Sequence, residues 1–118
     1  MNSKVALIIG AGTSLGSSIT KVFADDNFTV VPVRREGEKL KPLEEEINSK
    51  GGKCFSFSLD ARKEDEVKNF IERVELEIGE IEIAIYNIGA NIKYNLTETS
   101  SKKYFKVWEM ATFGAFLM

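Results

Sequence analysis

The chain has 118 residues, a net charge of −2, one cysteine and no histidine. That length holds one small domain, and the slightly acidic balance gives no electrostatic case for nucleic acid or an anionic membrane as partner. Without histidine, Ser-His and Cys-His nucleophile pairs and nearly all zinc sites are excluded. The lone Cys54 cannot form an internal disulfide, a usage that suits a reducing cytoplasm.

No signal-peptide pattern is visible at the start, and no run approaches the ~20 apolar residues of a membrane span. Val5–Ile9 is continuously apolar and predicts a strand buried on both faces. Residues 14–26 place Leu15, Ile19, Val22 and Phe23 on one helical face. Phe28–Val33 predicts a second strand. Its Pro32 cannot donate to a ladder and is expected near the strand's C-terminal end. Residues 37–49 set Leu40, Leu43 and Ile47 on one helical face, with Glu44, Glu45 and Glu46 in a solvated face, and Gly51-Gly52 end the helix.

Cys54–Leu59 alternates, with Phe55, Phe57 and Leu59 on one side and Cys54, Ser56 and Ser58 on the other. It predicts a third strand with Cys54 as a small core residue. Residues 64–78 carry the stripe Val67, Ile71, Val74 and Ile78 and stop at Gly79, and Ile81–Tyr86 predicts a fourth strand. A loop holding Gly89 and two asparagines leads to a last helix from about Ser101, with Trp108 and nearby phenylalanines as core or interface aromatics. Strands alternating with helices argue for an α/β doubly wound parallel sheet with right-handed crossovers, in a single domain over 1–118.

Gly10, Gly12 and Gly16 lie directly between the first strand and the first helix. A dinucleotide-binding turn needs glycine there for a tight turn, close backbone approach to pyrophosphate, and helix–sheet packing. The common G-x-G-x-x-G spacing would require glycine at 15, where this chain has Leu15, so a merely flexible turn is the structural alternative.

These features resemble the short-chain dehydrogenase/reductase family, whose glycine signature is G-x-x-x-G-x-G. Gly10 and Gly16 match its first and last glycines, Ser14 stands in place of the middle one, and Gly12 is extra. Asp60 with Ala61 falls in register with the family's acid that hydrogen-bonds the adenine amino group. Tyr86-Asn87-Ile88-Gly89 takes the place of Asn-Asn-Ala-Gly, and VWEMATFGAFL resembles the family's next helix. The resemblance covers the whole chain. It implies a Rossmann-like sheet of order 3-2-1-4, lacking the fold's C-terminal part, with a cofactor crevice between strands one and four. The implied dinucleotide contacts are Gly10, Gly12, Thr13, Ser14, Leu15, Gly16, Asp60, Ala61, Asn87, Ile88 and Gly89. Ser14 adds bulk where phosphate approaches and a hydroxyl that can donate in return, which points to binding that is retained but weakened.

Arg34-Arg35 closes the second strand, where NAD-binding sites usually carry an acid for the ribose 2′-hydroxyl. Guanidinium groups pair with the additional phosphate of NADP, so NADP(H) is expected over NAD(H). A solvated charge pair opening a helix is the alternative. The family moves a hydride between nicotinamide and a carbonyl or alcohol, and handles the proton with a serine and a Tyr-x-x-x-Lys pair. Four residues beyond Tyr86, Tyr94 and Tyr104 lie Ala90, Glu98 and Trp108, and the family's helix asparagine aligns with Ala111, so no catalytic residue is assigned.

Three readings follow: the NADP-binding part of a short-chain oxidoreductase, inactive as these 118 residues alone; a non-catalytic NADP(H)-binding or partner-binding module; or a remnant that binds nothing well. The fourth strand is expected to form an apolar sheet edge. Together with the last helix, that edge would be covered by a homo-oligomer or another partner.

Overall fold

The computed structural model describes residues 4–89 and 92–118. Residues 1–3, and residues 90 and 91 in the expected glycine loop, lie outside the described residues. In chain order the elements are β1 Val5–Ile9, α1 Leu15–Asp25, β2 Thr29–Arg34, a 3₁₀ turn Gly37–Leu40, α2 Lys41–Ser49, β3 Lys53–Cys54, β4 Phe57–Ser58, α3 Glu64–Glu77 and β5 Ile81–Tyr86. A second 3₁₀ turn at Leu96–Glu98 then precedes one continuous helix, made of α4 Ser101–Trp108, a π-helical stretch Glu109–Phe113, and α5 Gly114–Leu117. All strand pairs are parallel. The order is β3-β2-β1-β5, with β4 beside β2 in line with β3, which is the expected 3-2-1-4 path.

β1 lies at the centre and all five of its residues are buried. Val5, Leu7 and Ile9 face one core, closed by Val67, Phe70 and Val74 of α3 and by Leu117 and Met118. Ala6 and Ile8 face a second core with Leu40, Leu43 and Ile47 of the α2 region and Ile19 and Phe23 of α1. The strand therefore reads as an unbroken apolar run because helices cover both faces of the sheet.

Several local expectations are corrected. Leu15 and Val22 do not share the buried face of α1; they are 60% and 64% exposed. The helix meets the sheet through Gly16 and Thr20, with Ile19, Phe23 and Ala24 beside them. Small residues lead because the approach is close: a Cβ on Gly16 would come within 2.6 Å of Ala11 Cα. Leu15 and Val22 lie roughly 100° or more round the helix from that stripe.

Pro32, second, is not near the strand end but inside β2, buried and opposite Ile8. Residues on either side of it show how the sheet tolerates it. Thr29 N donates to Lys4 O at 3.0 Å and Val33 O accepts from Gly10 N at 2.9 Å, so odd-numbered residues bond toward β1. Val30 O accepts from Phe55 N at 3.1 Å and Arg34 O from Leu59 N at 3.0 Å, so even-numbered residues bond toward β3 and β4. The N–H that proline lacks would point to that outer side.

The third correction follows from the second. The expected strand Cys54–Leu59 is split into β3 and β4, with Phe55 and Ser56 between them, opposite Pro32. Phe55 is exposed, whereas Phe57 and Leu59 reach the core as expected. At the break the outer edge is satisfied from α2. Glu44 accepts from both the backbone N and the hydroxyl of Ser56 at 2.5 Å, and Asn48 pairs with both Cys54 N (2.8 Å) and Cys54 O (3.1 Å). Glu44 is thus turned onto the sheet and is not part of a solvated face. Burial pushes its carboxyl up, but hydrogen bonds from Ser56 and Lys41 outweigh that and hold it below the usual range.

Cys54 is buried as expected, and desolvation pushes its thiol up to about 12. The aromatics of the last helix are not core residues: Tyr104, Phe105, Trp108 and Phe116 are exposed. No helix among the described residues is long and apolar enough to cross a membrane.

Pro32→Val restores a ladder donor opposite the break. The expected outcome is a slowly exchanging amide at position 32 and β-type coupling through Phe55 and Ser56, read by hydrogen exchange and NMR. An amide that exchanges as fast as a loop N–H would show that proline does not set the break.

Candidate functional site

The carboxyl ends of β1, β2, β4 and β5 open on one side of the sheet, where a cleft of about 590 Å³ lies. Its walls carry Gly10, Ala11 and Gly12 after β1; Arg34, Arg35, Glu36 and Lys39 after β2; Leu59, Asp60, Ala61 and Arg62 after β4; and Asn87, Ile88 and Gly89 after β5. Open α/β sheets bind ligands at such a place, where the strand order reverses between neighbours.

Gly10 is the hinge of this cleft. Its φ of +90° is a left-handed conformation that side chains resist, and a Cβ there would lie 2.5 Å from Asn87 O and 2.6 Å from Ile88 Cγ1. Asn87 closes the seam by donating its backbone N to Ile9 O at 2.7 Å and its amide Nδ2 to Gly10 O at 3.3 Å. Gly10 N and Ala11 N both donate to Val33 O, which ties the loop to β2. Beyond them, the N–H groups of Gly12, Thr13 and Ser14 donate to no protein group among the described residues. At Gly12 a Cβ would meet nothing within 4 Å. Unpaired amides at the start of α1, with open space beside Gly12, are what an anion needs.

Of the residues singled out in sequence, Gly10, Gly12, Arg34, Arg35, Asp60, Ala61, Asn87, Ile88 and Gly89 line the cleft together. Thr13, Ser14, Leu15 and Gly16 do not line it. Gly16 is buried behind it against Ala11 and Gly10. Leu15 and Ser14 are exposed at the start of α1, and the Ser14 side chain makes no capping bond.

The cleft carries four cationic side chains and two carboxylates. Asp60 accepts from Arg62 Nε and NH2, both at 2.9 Å, and this fork holds its carboxyl down at about 2. Glu36 pairs with Lys39. Arg34 and Arg35 have no carboxylate partner among the described residues.

A family model described as short chain dehydrogenase matches residues 4–118. The chain belongs to the short-chain dehydrogenase family. A solved short-chain dehydrogenase from Rhodopseudomonas palustris superposes with a TM-score of 0.90 at 44% identity, over 99% of this chain and 54% of that one. The alcohol dehydrogenase of Thermococcus sibiricus, solved with 5-hydroxy-NADP, gives 0.88 at 25% identity over 98% and 49%. The 3-oxoacyl-(acyl-carrier-protein) reductase of Staphylococcus epidermidis is 32% identical over 88 residues, 74% of this chain and 36% of that protein. This short-chain dehydrogenase sequence thus spans about half of those solved chains and about a third of that reductase.

Within the family frame, sequence reasoning missed Tyr86, Met110, Glu36, Lys39 and Arg62 as cleft residues. Tyr86 stands where the family motif has asparagine, and its phenol donates to Met110 O in the π-helical stretch. In a regular α-helix that carbonyl would receive Gly114 N, but here Gly114 N bonds Glu109 O. Tyr86 thus supplies the donor that the π turn removes, and its ring packs where a side chain at Gly114 would sit. Burial, then the nearby Asp60 charge, raises the Tyr86 pKa. The absence of a Cβ at residue 114 next to an aromatic at 86 was the one signal available in sequence.

Two outcomes test this geometry. Gly10→Ala is expected to destabilise the fold by about 2 kcal/mol or more, and Gly12→Ala by less than about 0.5 kcal/mol, in denaturant unfolding. Asp60 has a folded pKa of about 2 against an ordinary 3.8, so its pairing stabilises the fold above that ordinary value and is lost as pH falls toward 2. The stability gap between the wild type and Arg62→Met is therefore expected to shrink between about pH 5 and about pH 2, followed by unfolding midpoints.

Proposed function

We propose that this chain binds NADP(H) in the cleft above β1 and β5, as the cofactor-binding part of a short-chain oxidoreductase acting on a carbonyl or alcohol. The observation that carries the reading is the pair Arg34 and Arg35, which line the cleft unpaired while both neighbouring carboxylates, Glu36 and Asp60, hold cations of their own. Two positive charges are left unmatched, and a phosphomonoester carries about −1.5 to −2 near neutral pH. The free amides of Gly12, Thr13 and Ser14 would take the pyrophosphate, and Asp60, Ala61, Ile88 and Gly89 would flank the adenosine half. When bound, the cofactor supplies or accepts the hydride.

What the chain's own residues do is bind and orient. The Gly10–Asn87 seam holds the two lips of the cleft together. No tyrosine here has a lysine four positions on, so no proton-handling pair is assigned among these residues. Such a pair works by the lysine charge lowering the tyrosine pKa, and Tyr86 shifts the other way. A second reading, a module that binds NADP(H) without catalysing hydride transfer, uses the same cleft and is favoured by Tyr86, which stands where the family motif has asparagine and is tied to Met110 O. The exposed aromatics of the last helix and the outer edge of β5 are proposed to meet a second copy or another partner.

Fluorescence titration with NADPH and NADH tests the cofactor. NADPH is expected to bind more tightly, and Arg34→Ala and Arg35→Ala are each expected to weaken it about tenfold while leaving NADH nearly unchanged. Equal affinities for the two dinucleotides would overturn the reading.

A further inference from the structure

Glu36 lines the cleft with three cations, Arg34, Arg35 and Lys39, and pairs with one of them, Lys39. The backbone that carries this pair is anchored. Gly37 N donates to Ser58 Oγ at 2.9 Å, Lys39 N donates to Glu36 O at 3.1 Å, and Leu40 is buried in the core. The two side chains are not anchored: Lys39 is 60% and Glu36 58% exposed, and a solvated ion pair of this kind holds weakly. Lys39, then Arg34 and Arg35, keep the Glu36 carboxyl below its usual range, so it remains an anion facing all three cations.

We propose that Glu36 is a resident counter-anion of the Arg34–Arg35–Lys39 cluster, released when a phosphomonoester enters, and that Lys39 then becomes a third ligand of that phosphate. The inference rests on the NADP(H) reading and deepens it. A carboxylate with one negative charge holds the lysine loosely, and a dianion competes for the same ammonium with more charge and more acceptor oxygens. Glu36 therefore restrains affinity for the 2′-phosphorylated dinucleotide, because part of the attraction of the cluster is already spent on it. The same exchange has no counterpart for a dinucleotide that lacks the phosphate, so both residues set the preference between the two and leave the shared pyrophosphate contacts alone.

The test is a matched titration of the full chain with NADPH, NADH and 2′,5′-ADP. Glu36→Gln is expected to tighten NADPH and 2′,5′-ADP by about three- to tenfold, and Lys39→Ala to weaken both by a similar factor. NADH should stay within about twofold in both variants, and Lys39→Arg should retain most of the wild-type affinity for NADPH. A wild type that prefers NADPH but does not respond to either substitution would overturn this inference alone. A change of equal size for NADH would also overturn it, since the pair would then act on the cleft as a whole. A wild type with no preference for NADPH would overturn the cofactor reading together with this one.

Discussion

At Gly10 the backbone of β1 turns through a left-handed conformation while the backbone and side chain of the β5 terminus press against its α-carbon. Three elements are fixed by that contact. β5 is drawn in by Asn87, which bonds both Ile9 and Gly10; β2 is held through Val33; and α1 follows on Gly16, packed with almost no space behind the same turn. The consequence is directional. With Gly10 and Ala11 committed to the sheet, the next three amides are left without a protein acceptor among the described residues, and the first of them, at Gly12, borders the cleft that the sheet ends frame. A side chain at residue 10 would separate the lips of the cleft before it touched any ligand.

Around this seam the charges fall into two kinds. Asp60 and Arg62 are half-enclosed, forked and fixed, and they make one wall rigid without adding net charge. After β2 the groups are solvated, and cations exceed anions. The cleft is thus neutralised on one side by a forked ion pair and left with excess positive charge on the other. Membership of the short-chain dehydrogenase family places this division in a fold that carries nicotinamide dinucleotides.

Much of this was legible in the sequence, for physical reasons that can be named. β1, β5 and α3 carry regular patterns, and a short apolar run that ends at glycine suits a central strand covered on both faces. The cleft glycines and the two arginines are legible because their positions follow the strand ends. What could not be read depends on a neighbour distant in sequence. Pro32 looked misplaced until β3 and β4 were seen to part opposite it. Apolar periodicity points to the large residues of α1, whereas a close-packed contact selects small ones, Gly16 and Thr20. Glu44 looked like one of three solvated acids, yet Ser56, twelve residues on, gives it a binding role. Tyr86 needed Met110 and Gly114 before its phenol had any function.

The polar side chains that α2 lays on β3 also guard that flank of the sheet. Asn48 and Glu44 occupy the outward backbone groups of Cys54 and Ser56, so a strand adding at β3 would first have to displace two side chains of its own protein.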